Sequence, residues 1–106
     1  MILKKNIFDN IQAGSGIEIF EDLLKKENLK LERIISYPNS ISENQWYGQA
    51  HDEWVILLKG SAALQFENDE LVELLPGDYL FIPAHTKHKV QEVNNNEPTI
   101  WLALHY

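Results

Sequence analysis

The sequence predicts a single all-β domain, an antiparallel sandwich or barrel, with one short helix ahead of it. Three observations carry that expectation. From Lys30 onward the chain runs as short segments rich in branched and aromatic residues, with no helical period. Each segment is closed by turn chemistry. No helix is left between them to serve as a parallel crossover, so the segments must pair as antiparallel neighbours. At 106 residues the chain is the size of one domain, 1–106, with an N-terminal segment over 1–29 and the barrel over 30–106.

In the N-terminal segment, Gly14-Ser15-Gly16 breaks the chain. Ile17, Phe20, Leu23 and Leu24 then recur at helical spacing while Glu18, Glu21, Asp22, Lys25 and Lys26 take the other side. This pattern predicts a short amphipathic helix. Ser15 is placed to cap it, because its hydroxyl can accept an orphaned backbone N–H, and Glu18 completes a capping box three residues on. The strand candidates follow: Leu31–Tyr37, Gln45–Leu58, Ala62–Glu67, Leu71–Leu75, Tyr79–Ile82, His88–Val93 and Thr99–Tyr106. Between them stand Pro38-Asn39-Ser40, Lys59-Gly60-Ser61, Asn68-Asp69-Glu70, Pro76-Gly77-Asp78, Pro83-Ala84 and Asn94-Asn95-Asn96, all turn formers.

Composition narrows the function. A hydrophobic share of 44% with three Trp places the chain among folded proteins. A formal charge of −7 repels nucleic-acid phosphates and anionic membranes, so neither is expected as a partner. Without cysteine, disulfides, a thiol nucleophile and a thiolate zinc site are excluded. The N-terminus carries two lysines but no apolar run of signal-peptide or membrane length, and the expected location is the cytoplasm.

Over Trp46–Leu57 the alternation of a strand puts Tyr47, Gln49, His51, Glu53, Val55 and Leu57 on one face, polar at one end and apolar at the other. A barrel with a polar mouth above an apolar floor has this gradient. Same-face neighbours lie roughly 7 Å apart, so His51 and Glu53 can share an ion with little distortion. Gln49 and Glu53 need a bend, for which Gly48 or Ala50 leaves room. Imidazole and carboxylate together suit Zn, Fe, Mn, Ni or Co.

Two blocks resemble the motifs of the cupin family. Glu53-Trp-Val-Ile-Leu-Leu-Lys-Gly60 is similar to the second half of the first motif, and Gly77-Asp-Tyr-Leu-Phe-Ile-Pro83-Ala-His-Thr-Lys-His88 to the second. With the hairpin between them they span about a third of the chain. The resemblance, to small single-domain bacterial cupins, implies a double-stranded β-helix, or jelly-roll barrel. It also places Glu53 and His88 on two of four metal-ligand positions. The other two belong to a His-x-His pair, where this chain has Tyr47 and Gln49, and His85 stands where the second motif usually has Gly.

The site expected from these readings is a rearranged one. Gln49, His51, Glu53 and His88 would hold a divalent transition metal, with Tyr47 and Gln49 facing a small-molecule ligand. The expected function is a metal-dependent enzyme acting on a small polar substrate, which the metal would polarise as a Lewis acid. The alternative is a metal-free module or isomerase for a sugar-like or carboxylated ligand, with His and Glu working as acid and base. His85 is expected on the surface, His105 as a packing or interface group, and Trp46, Trp54 and Trp101 in the core or a dimer interface. Unpaired sheet edges point to a homodimer.

Overall fold

The computed structural model describes residues 1–11, 18–38 and 46–106. Within them the chain forms strands β1 (Ile19–Lys26), β2 (Leu29–Ser36), β3 (Glu53–Lys59), β4 (Ala62–Phe66), β5 (Leu71–Leu74), β6 (Tyr79–Ile82), β7 (His88–Val93) and β8 (Thr99–His105). They make two antiparallel sheets, one of five strands in the order β1-β2-β8-β3-β6 and one of three in the order β5-β4-β7. The inner faces enclose a core of Val55, Leu57, Leu64, Leu74, Ile82, Val93, Trp101 and Ala103. This is the jelly-roll architecture expected.

The expected helix is not there. The segment that was to carry it forms β1, which pairs with β2 from Ile19↔Ile35 to Lys26↔Leu29 across a tight turn at Glu27-Asn28. Ile17 and the proposed cap Ser15 lie outside the described residues, as do Gly14 and Gly16. The physical reason is a bulge between Asp22 and Leu24. Phe20 pairs with Ile34 on the inner face, but the extra residue moves Leu24 to the outer face opposite Leu31. An interrupted alternation of this kind imitates helical spacing, and the ladder offered by β2 decides the conformation.

The long candidate strand over Gln45–Leu58 is also interrupted. Gln45 lies outside the described residues, as do Asn39 and Ser40 of the expected turn. Tyr47 makes a two-way backbone bridge to His88, at 2.7 and 2.9 Å, so this stretch sits against the smaller sheet. The chain bends at Ala50-His51 and enters the larger sheet as β3. Gly60 turns the chain into β4 at φ +92°, where a Cβ would come within 2.8 Å of the Thr99 Cα. Among the described residues no helix is long and apolar enough to cross a membrane.

Candidate functional site

At one end of the two sheets lies a cavity of about 440 Å³. Strand pairing aims side chains into it from several directions. Glu53 pairs with His105 across β3 and β8, and Glu32 pairs with Ala103, so β2, β8 and β3 turn Glu32, His105 and Glu53 to the same side. The bridge to Tyr47 brings in His88. The Pro83 turn is tied to the bend by bonds from the His85 N–H to the Gln49 carbonyl (2.6 Å) and from the Ala84 N–H to Asp52 Oδ1 (2.9 Å).

One hydrogen-bonded chain runs through the buried floor. The Gln49 amide donates from Nε2 to Glu53 Oε1 at 3.2 Å and to His105 Nδ1 at 3.3 Å. Because an amide NH₂ has two donors and no acceptor, His105 Nδ1 must be its unprotonated nitrogen, and the proton sits on Nε2, 2.6 Å from Glu32 Oε1. His51 Nε2 also faces His105 Nδ1, at 3.3 Å, with the two rings edge to face. Across the pocket, His88 Nδ1 bonds the Thr86 carbonyl at 3.1 Å, which leaves Nε2 as its free nitrogen, 3.6 Å from Glu53 Oε1.

A second cluster stands at the β1 side. Trp101 donates its indole N–H to Ser36 Oγ at 3.1 Å, and Ser36 donates to Glu18 Oε2 at 2.6 Å. The Tyr47 hydroxyl lies 3.5 Å from Glu18 Oε1. Burial raises the Glu18 carboxyl above its ordinary range; the bonds from Ser36 and Tyr47 oppose this and the charge of Glu32 adds to it. Burial, then the charge and hydrogen bond of Glu18, push Tyr47 up to about 12. Burial would raise Glu32 as well, but His105 and Lys30, the latter 3.5 Å away, outweigh it and leave the carboxyl lowered.

Of the residues expected at the site, Tyr47, Gln49, Glu53 and His88 all line the cavity. His51 does not: the bend turns it to the exposed rim, where it meets His105 instead of Glu53. Among the described residues no group of three or more His, Cys, Asp or Glu side chains is placed to hold a metal ion. Of the four proposed ligands, Gln49 donates to Glu53 and His105 and His51 faces His105 on the rim, so as arranged only Glu53 and the free Nε2 of His88 lie beside each other, fewer than the three protein ligands of an open metal site. His85 is exposed, and its φ of +65° explains why glycine suits this turn. Trp54 packs against Tyr79 on the outer face of the larger sheet. His105 is a wall of the pocket, not a packing or interface group.

Glu18, Glu32 and Trp101 also line the cavity, and the sequence did not mark them as site residues. β2 is buried on both faces, since Arg33 on its outer side binds the Ile7 and Asp9 carbonyls and Glu21. No polar-to-apolar contrast therefore set Glu32 apart. The available signal was His105 at the end of a strand with the odd parity of Trp101 and Ala103, waiting for a register to place it beside Glu53.

The Cupin domain family matches residues 37–105. A Ralstonia eutropha protein provisionally named a mannose-6-phosphate isomerase is 40% identical, over 98% of this chain and 97% of that one, with a TM-score of 0.91. A cupin superfamily protein of Desulfitobacterium hafniense matches at 19% identity and TM-score 0.74, over 90% and 82% of the two chains. Fe(II) HppE matches at 14% and 0.74, over 85% of this chain and 50% of its own. No curated protein matches. With two sheets folded as a jelly roll, both motif blocks in place and the family match spanning most of the chain, this protein belongs to the cupin family.

Proposed function

We propose that the pocket binds a small sugar-like carbonyl compound by its uncharged carbonyl end and catalyses proton transfer on it, as an isomerase that uses its own side chains. The observation that carries the reading is the His88 ring. The Thr86 carbonyl holds its Nδ1–H, and its free Nε2 lies beside the Glu53 carboxylate on the cavity wall. A neutral imidazole so held can take a proton from a carbon next to a carbonyl, and the carboxylate stabilises the imidazolium that forms. Gln49 keeps Glu53 in position by donating to Oε1. Tyr47, Trp101 and Val90 supply flat and apolar walls for a ring or carbon chain.

Among the described residues the lining has three carboxyl groups against Lys30 as its one lysine, which favours an uncharged sugar end inside the cavity over a carboxylate. The name of the Ralstonia relative supports the isomerase class. The competing reading, a transition metal held by Gln49, His51, Glu53 and His88, rests on motif position and needs His51 to turn inward. A homodimer belongs to the same proposal. Phe81, Trp54, Leu104, Leu31 and Leu24 form an apolar row across the outer face of the five-stranded sheet, and a second copy would cover it.

Saturation-transfer NMR with D-mannose, D-mannose 6-phosphate and an aliphatic dicarboxylate tests the pocket. Binding of the sugars that Glu53→Gln weakens is the expected result. Binding of the dicarboxylate alone would contradict the proposal.

A further inference from the structure

We propose that Glu18 is a second proton donor of this pocket, carrying its proton on Oε1 and presenting it to the carbonyl oxygen of the bound ligand. The ligand half rests on the function proposed above.

Hydrogen-bond direction assigns the oxygen. An indole N–H can only donate, so Ser36 Oγ accepts from Trp101 and turns its own proton towards Glu18 Oε2. Oε2 is therefore an acceptor, and a proton on the carboxyl belongs on Oε1. That oxygen accepts only a long contact, 3.5 Å, from the Tyr47 hydroxyl, whose proton is free to turn away when Oε1 holds one, leaving room for a better acceptor.

Charge supports the neutral form. Glu32 is matched by His105 and Lys30, and Glu53 faces His88 and the Gln49 amide. Among the described residues no cation lies within ion-pair distance of Glu18; the groups that face it are Ser36 and Glu32 from β2 and Tyr47 from the segment before β3. Burial and the nearby Glu32 charge both raise its carboxyl. Tyr47 links this cluster to the other acid–base pair, since its ring centroid is 6.2 Å from that of His88.

The reaction then balances. His88 Nε2 takes the proton from the carbon beside the carbonyl. The C–H electron pair becomes a C=C bond, and the carbonyl π pair moves to oxygen, which takes the Glu18 proton. In the return half, the proton on His88 goes to the former carbonyl carbon, and the hydroxyl proton of the neighbouring carbon goes back to Glu18. An aldose has become a ketose with no change in net oxidation state, and both side chains are restored.

The test is a ¹³C NMR pH titration of the side-chain carboxyls, with Glu18→Gln assigning the Glu18 signal by its loss. Glu18 should titrate above the exposed glutamates, and Ser36→Ala, which removes a bond that favours the charged form, should raise it further. A Glu18 midpoint in or below the exposed range would overturn the assignment. In D₂O, Glu18→Gln should slow C2 proton exchange of D-mannose or D-mannose 6-phosphate by about 10²–10⁴-fold. Unchanged exchange in that variant would overturn the donor role. A wild type that exchanges neither sugar would overturn the ligand half together with the proposed function, while the titration still decides the protonation state.

Discussion

Replacing His105 with Ala should cost the fold dearly at neutral pH and little in acid. Glu32 and His105 are 4% and 6% exposed and lie 2.6 Å apart, so removing the imidazole strands a buried carboxylate. Leaving a buried, charged acceptor without its donor costs upwards of about 3 kcal/mol. Lys30, 3.5 Å from Glu32 and partly exposed, recovers some of this, which brings the expectation to about 3 kcal/mol. At a urea m-value of about 2 kcal/mol/M the midpoint falls by about 1.5 M. The pH dependence has a definite sign. The folded-state Glu32 carboxyl lies below its ordinary range, so its stabilisation is fully present above that range and is lost as pH falls through the lowered, folded-state midpoint. The gap between wild type and variant should therefore close on acidification, and Glu32→Gln in the His105→Ala background should restore part of the loss. Urea unfolding at several pH values measures both. A neutral-pH difference below about 0.5 M, or a gap that widens in acid, would rule out this role for His105.

Gly60→Ala combines a left-handed backbone with a Cβ pressed onto the Thr99 main chain, and should lose at least about 2 kcal/mol in the same unfolding assay. Light scattering should give twice the chain mass for the wild type, and Phe81→Glu, an exposed position on the outer apolar row, should halve it without loss of fold. Elemental analysis of protein purified without chelators should find transition metal well short of one ion per chain. A stoichiometric ion lost in both His51→Ala and His88→Ala would instead establish the metal reading.

The fold was legible because antiparallel strands advertise themselves through short branched segments and turn residues, and because the spacing from Glu53 to Gly60 and from Gly77 to His88 is local. Pocket residues on that local stretch, Tyr47, Gln49 and Glu53, could be read from alternation alone. The same rule misled at His51, where the bend at Ala50-His51 ends the alternation and sends the ring to the rim. It misled again at β1, where a bulge imitated helical spacing. Glu18, Glu32 and His105 stayed hidden because their roles depend on which strands pair and in what register, a long-range property with no local signature.

In the proposed function His88, beside Glu53, moves a proton on a sugar-like carbonyl compound without a metal. The most direct measurement follows the C2 proton of D-mannose 6-phosphate and of D-mannose by ¹H NMR in D₂O, using chelator-treated wild type and His88→Asn. The expected result is exchange of at least one sugar by the treated wild type, slowed about 10²-fold or more in the variant. Exchange of neither sugar, or equal exchange by the two proteins, would contradict it.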